Sequence, residues 1–192
     1  SSNLALSFAE AGYRTVLVDG DVRRGELHRM FSTDRRPGLL DYLQGKTPLE
    51  EVLRPAGHRN LTLIPCGTRH HHAPELLGSA GMRELLADLK TRYNAIIVDS
   101  RPLGAGIDPF VLGTATGNIM LVLRSGETDR QMAEAKVRLL DRLPIRILGA
   151  VLNDISTAES AYKYYRYVYG YTADEEPAPQ LAGGPAEVGE HS

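Results

Sequence analysis

Thr15-Val16-Leu17-Val18-Asp19-Gly20-Asp21-Val22-Arg23 is the stretch from which the rest of this chain can be read. Thr15 to Val18 form a short, mostly apolar run rich in β-branched side chains, the habit of a strand buried on both faces of a parallel sheet. Two carboxylates, Asp19 and Asp21, close the run, and Arg23 follows. In open α/β sheets, ligands sit beyond the carboxyl ends of the strands. Side chains two apart on an extended backbone share one side, so Asp19 and Asp21 can both approach one cation or water. Two such carboxylates are costly unless a cation or a proton sits between them. Magnesium, a hard cation with oxygen ligands, is the expected solution in a nucleotide site. The bland alternative makes Asp19 a cap and Asp21 a solvated loop residue; DxDxR directly behind an apolar strand weighs against it.

Leu4, Ala5, Phe8, Ala9 and Ala11 recur at helical spacing before this strand, and Gly12 is a natural stop. Further runs of the same apolar kind follow at Leu61 to Ile64, Ala95 to Val98, Ile119 to Leu123 and Ile147 to Leu152. Helical patterns lie between them at Met82 to Tyr93 and at Asp129 to Leu143, the latter with Ala133, Val137, Leu140 and Leu143 along one face. Strand alternating with helix predicts an α/β fold with a mostly parallel sheet and crossover helices. Between Phe31 and Pro55, Leu39 to Leu43 and Leu49 to Leu53 read as small surface helices broken by Pro37, Gly38, Gly45 and Pro48. From about Thr172 onward the Ala, Gly, Pro and Glu composition cannot bury enough apolar area to offset its ordering entropy, so a disordered tail is expected over 172–192.

The bulk numbers set bounds. The chain has 192 residues, which fits one domain with a sizeable core and a tail. A net charge of -2 supplies no global field toward nucleic acid or anionic lipid, without excluding a local basic patch. Cys66 is the only cysteine, which excludes an internal disulfide and a cysteine-based zinc cluster and fits a reducing cytoplasm. No run reaches the roughly 18 to 20 apolar residues of a spanning helix, and no signal peptide is visible. The chain opens without Met and runs straight into an amphipathic helix, as if cut partway into an element.

A second strand-end carboxylate stands in Ala95-Ile96-Ile97-Val98-Asp99-Ser100-Arg101-Pro102. Strand-then-Asp alone is a weak signal. Together with the first, it suits a phosphate-transfer site organised by Mg²⁺. The most distinctive stretch is Tyr162 to Tyr171, where six of the nine tyrosines fall in ten residues. They cover every face of a helix and fit no single strand face, so most must reach solvent or a partner. Tyr162, Tyr164, Tyr165, Tyr167, Tyr169 and Tyr171 could stack on bases with Lys163 and Arg166 as phosphate contacts. They could also line an oligomer interface or act as phosphoryl acceptors. Composition does not choose among these.

In this order, strand-DxDxR, strand-DxxP and a C-terminal tyrosine cluster resemble the bacterial tyrosine kinases of capsule and exopolysaccharide systems, relatives of the ParA and MinD deviant Walker ATPases. Asn3-Leu4-Ala5 resembles the helix behind that family's P-loop, Val16 to Arg23 its Walker A′ strand, and Ile96 to Pro102 its Walker B. Ile64-Pro65-Cys66-Gly67, Pro74 to Leu77, Arg124 to Thr128 and Val151-Leu152-Asn153 look similar too. The resemblance runs from residue 1 to about Tyr171. It implies a three-layer P-loop NTPase fold with helices on both faces, its first strand and P-loop lying upstream of this chain. It implies a kinase domain over 1–160, a tyrosine cluster over 161–171 and a tail over 172–192.

The resemblance also implies ATP and Mg²⁺ as cofactors. Asp19 and Asp99 would hold the metal, largely through water. Asp21 would take the proton of an incoming tyrosine, and Arg23 would pair with phosphate or hold the acidic loop. Asn153 would contact the base, and the six clustered tyrosines would be the autophosphorylation sites. The activity implied is autophosphorylation from ATP, regulating polysaccharide polymerisation and export at the inner face of the plasma membrane. The implied partners are a membrane adaptor or chain-length determinant, further copies of the chain for trans-phosphorylation, and a cognate tyrosine phosphatase, with no nucleic acid among them. A MinD-like ATPase and a non-catalytic regulatory module are the alternatives. Arg101 departs from the family, which usually has proline or a small residue there, and either does nothing or brings a charge near the phosphates. His70-His71-His72 is expected to be a surface loop, since consecutive side chains rarely converge on one ion. Asp108 is expected to cap the helix begun by Pro109 and Phe110.

Overall fold

The computed structural model describes residues 1–155. The tyrosine cluster Tyr162 to Tyr171 and the stretch from Thr172 onward lie outside the described residues. Helix α1 (Ser2–Glu10) leads into a turn in which Gly12 takes φ 92°, the left-handed region that favours glycine. Strand β1 (Thr15–Asp19) follows, buried at all five positions. Then come α2 (Leu27–Met30), α3 (Leu39–Leu43), α4 (Leu49–Val52), β2 (Arg54–Pro55), β3 (Leu61–Ile64), α5 (Ala73–Leu77), α6 (Ala80–Arg92) and β4 (Ala95–Asp99). A 3₁₀ turn over Leu103–Ala105 precedes α7 (Asp108–Thr116), β5 (Asn118–Arg124), α8 (Arg130–Leu140) and β6 (Arg146–Asn153).

β1 is central because β3 and β4 pair with it in parallel on either edge, Thr15 lying opposite both Leu61 and Ala95. Two-residue alternation along β1 sorts its side chains between two cores. Val16 and Val18 pack with Leu39, Leu40, Ile64, Met82, Leu85 and Leu89 on one face. Leu17 packs with Ala5, Ala9, Leu27, Leu61 and Leu63 on the other. Helices therefore cover both faces, and burying a side chain such as Leu17 stabilises by about 1.5–3 kcal/mol. Asp41 fastens α3 to the loop behind β3: its Oδ2 accepts the Gly38 amide at 2.9 Å and the Thr68 amide at 3.0 Å.

Two features were not anticipated, and one expectation needs correction. The sheet is not continuous among the described residues: β2-β3-β1-β4 form one sheet, and β5 pairs in parallel with β6 as a second. β2 is antiparallel to β3 and was not anticipated. Burial on both faces holds for β1 and, apart from half-buried Thr62, for β3, but not for the other apolar runs: β4 is half-buried throughout, and Val122 of β5 and Leu152 of β6 are exposed. The reason is position. β1 and β3 have a neighbour on each edge, whereas among the described residues β4 ends its sheet and β5 and β6 have only each other.

Candidate active site

The register of β1 against β4 places Asp19 directly opposite Asp99. Adjacent strands lie about 4.8 Å apart, so two carboxylates leave neighbouring strands at the same level. The Gly20 amide donates to the Asp99 carbonyl at 3.0 Å and locks that register just past the strand ends. Asp19 is fully buried. Its Oδ2 accepts the Leu27 amide at 3.3 Å, and its Oδ1 has no partner among the described residues. Burial first, then the charge on Asp99, pushes its carboxyl up to about 7. A buried carboxylate oxygen without a donor, facing a second carboxylate, is the electrostatic setting that a cation relieves. Asp99 Oδ1 accepts the Ser1 hydroxyl at 2.5 Å, a contact that sequence reading did not anticipate.

Asp21 stands on the next turn. Its Oδ1 accepts the amides of Arg23 at 3.2 Å and Arg24 at 2.9 Å, which folds the DxDxR segment into a tight loop. Arg101 Nε lies 3.9 Å from the same oxygen. Among the described residues, nothing donates to Oδ2. Arg23 reaches Asp108: its Nε lies 3.7 Å from Oδ2 of that residue. Of the two roles open to Arg23, this geometry is that of a residue holding the acidic loop.

Asp108 is not the expected cap. Ile107 holds that position, and Asp108 begins α7 with its side chain buried between Arg23 and Arg101. His70, His71 and His72 are exposed on the loop entering α5, as expected.

A cleft of about 1140 Å³ opens over these strand ends, lined among others by Ser1, Asp21, Arg24, Arg69, Asp99 and Asn153. It joins the two sheets, because Asn153 ends β6 while Asp99 ends β4. Sequence-predicted Asp21, Asp99 and Asn153 thus meet on one cavity, Asp19 lies buried beside Asp99, and Arg23 stands outside the cleft. Arg24 and Arg69 add positive charge that no motif announced.

Gly25 is required by this packing. A Cβ there would lie 2.5 Å and 2.6 Å from the two Asp19 carboxylate oxygens and 2.6 Å from the Asp21 carbonyl. Gly25→Ala is expected to displace the Asp19 carboxylate and lower stability by roughly 1–3 kcal/mol, the usual cost of overpacking. A urea midpoint unchanged from the wild-type value would contradict this.

This α/β fold, a mostly parallel sheet with helices on both faces and aspartates at adjacent strand ends, is one shared with P-loop NTPases. The MinD protein of Pyrococcus horikoshii, in complex with Mg-ADP, shares that fold at a TM-score of 0.65 and 23% identity, covering 82% of this chain and 64% of that one. No protein-family model matches the chain. The kinase domain of VpsO is 32% identical with a TM-score of 0.76, covering 81% of this chain and 77% of that one. The kinase domain of the Escherichia coli tyrosine kinase Etk is 32% identical with a TM-score of 0.77, covering 80% and 60%. The tyrosine-protein kinase Etk of Escherichia coli K12 is 33% identical over 165 residues, 85% of this chain and 23% of its own length. The chain belongs to the bacterial tyrosine kinase family. It spans about a quarter of the length of the curated relatives it matches.

Proposed function

We propose that this chain is the phosphotransfer part of a bacterial tyrosine autokinase, moving the γ-phosphate of ATP to Tyr162, Tyr164, Tyr165, Tyr167, Tyr169 and Tyr171. The observation that carries the reading is the pairing of Asp19 with Asp99 at one level, with Asp21 on the cleft they border. Asp19 and Asp99 fit a magnesium ion: they supply two oxygens ready for a cation, one of them orphaned. No set of three or more His, Cys, Asp or Glu side chains converges among the described residues. Such an ion would therefore keep several waters and complete its shell from phosphate, as magnesium commonly does. When bound, it would neutralise charge on the phosphate oxygens.

The chain's own residues would do the rest. A tyrosine hydroxyl entering the cleft gives its proton to Asp21 Oδ2, the carboxylate oxygen without a donor among the described residues, as its oxygen bonds to the γ-phosphorus. The bond from that phosphorus to the ADP oxygen breaks, and ADP leaves. A phenol with pKa about 10 is almost fully protonated at pH 7, so an acceptor for this proton matters. Asn153, which lines the same cleft, would contact the base. Arg23 keeps the acidic loop folded through Asp108.

Each phosphate adds about 1.5 to 2 negative charges, so a multiply phosphorylated cluster should repel itself and loosen an oligomer. In this reading the acceptor tail belongs to a neighbouring copy. A membrane adaptor or chain-length determinant holds the assembly at the inner face of the plasma membrane, a tyrosine phosphatase resets it, and polysaccharide polymerisation and export respond. No described helix is long and apolar enough to cross a membrane, so attachment falls to the adaptor or to further sequence.

Incubating the full-length protein with labelled Mg-ATP, followed by phosphoamino-acid analysis, tests the reading. Phosphotyrosine is expected. ATP turnover without phosphotyrosine would replace it with a MinD-like ATPase, and neither activity would leave a regulatory module.

A further inference from the structure

We propose that Arg101 is a positioning residue that fixes the Asp21 carboxylate for proton transfer, an inference that rests on the kinase reading above. Arg101 follows the Asp99-Ser100 strand end and reaches back across the site. Its Nη1 donates to Asp108 Oδ2 at 3.4 Å, while its Nε faces Asp21 Oδ1 at 3.9 Å. The Arg101 and Asp21 side chains are each 18% exposed and that of Asp108 only 1%, so the group is shielded from water. Charges in such a setting interact more strongly than surface pairs, and a buried carboxylate left unpaired is strongly destabilising. Asp108 is paired twice, by Arg101 and by Arg23 at 3.7 Å.

The four groups form a chain from Asp21 through Arg101 and Asp108 to Arg23. It starts and ends on the loop behind β1 and passes through the loop behind β4 and the first turn of α7. Asp21 Oδ1 thus meets two backbone amides from its own loop and one guanidinium from another element. Those contacts fix the rotation of the carboxylate and leave Oδ2 as the oxygen that can take a proton. The guanidinium fork suits this task because two of its nitrogens serve two carboxylates at once, which a single ammonium cannot copy. Arg101 does not line the cleft, so it acts on the reaction through Asp21 and not as a phosphate ligand.

The test uses the full-length protein, with wild type, Arg101→Ala, Arg101→Lys and Asp21→Asn, and Arg101→Ala combined with Asp21→Asn. Single-turnover tyrosine phosphorylation and the KM for ATP are both measured. A small misplacement of a catalytic group can cost up to about 10²-fold, so Arg101→Ala is expected to lower the rate roughly 10- to 100-fold. The KM for ATP is expected to stay within about twofold, as for an interaction felt only in the transition state. Arg101→Lys keeps a charge and most of the packing, so it folds even if the alanine variant does not. It is expected to recover only part of the rate. In the Asp21→Asn background, removing Arg101 is expected to cost nothing further, because the group it positions no longer takes a proton.

Wild-type rates in both single variants would overturn the proposal. So would a raised KM with an unchanged rate, the sign of a phosphate contact, or an undiminished effect in the Asp21→Asn background. Absence of phosphotyrosine in the wild-type protein would instead overturn the kinase reading, and this proposal with it.

Discussion

Asp21→Asn is expected to lower the rate of tyrosine phosphorylation by roughly 10²–10⁴-fold, the usual contribution of a positioned general base. The substitution is nearly isosteric. An Asn carbonyl oxygen can still accept the Arg23 and Arg24 amides that Asp21 Oδ1 accepts, so the loop should keep its fold. What disappears is the oxygen able to receive the phenol proton and the negative charge facing Arg101. ATP affinity should change little, because the predicted metal carboxylates are Asp19 and Asp99. Initial rates of tail phosphorylation, measured beside the thermal midpoint of each protein, check this. An active Asp21→Asn variant would remove Asp21 from the proton-transfer role.

The second large effect concerns stability and pH. Asp19 has its carboxyl pushed from 3.8 to about 7, by burial first and by the Asp99 charge second, with the Leu27 amide opposing. In the unfolded chain it loses its proton near pH 4. Between about pH 4 and pH 7 the folded, ligand-free protein therefore holds a proton that the unfolded chain has released. Stability falls as pH rises across that window and the contribution is flat above it. A shift of this size corresponds to about 4 kcal/mol between the two ends.

Other groups act elsewhere or cancel. Burial pushes Asp41 up, but hydrogen bonds from Thr68 and Gly38 outweigh it and hold its carboxyl below the usual value. Its contribution is lost only as pH falls below about 4. Burial, with the Asp19 charge behind it, raises the Cys66 thiol from 9.0 to about 11, so its effect lies above pH 9. Burial and then Arg35 hold the His28 imidazole below 6.5, which makes stability climb as pH rises toward that value. Subtracting the Asp19→Asn curve from the wild-type curve removes the His28 contribution. The difference in urea-unfolding free energy should decline from pH 4.5 to 7.5. Parallel curves would show that Asp19 ionises normally in the folded protein.

Much of this site could be read from local pattern because the pattern is itself the physics. A β-branched run closed by Asp, seen at Val16 to Asp19 and again at Ile96 to Asp99, places a carboxylate at a strand end whatever the rest of the chain does. The Asp19–Asp99 register could not be read, because it depends on which strands become neighbours and on the Gly20 amide reaching the Asp99 carbonyl. Asp108 was misread for the same reason. Asp before Pro looks like a cap, and only the arrival of Arg23 and Arg101 from distant segments makes it a buried ion-pair partner. β2 was missed because a two-residue edge strand ending in Pro55 carries no periodicity. The exposure of β5 and β6 escaped notice because an apolar run reports a preference for burial, whereas burial itself needs neighbours.

The most direct test of the account is to map phosphate by peptide mass spectrometry on the full-length protein after incubation with Mg-ATP, with Asp21→Asn run in parallel. Phosphate on Tyr162, Tyr164, Tyr165, Tyr167, Tyr169 and Tyr171 in the wild-type protein, lost in the variant, is the predicted result. Unmodified tyrosines in the presence of ATP turnover, or tyrosine phosphate undiminished in Asp21→Asn, would contradict it.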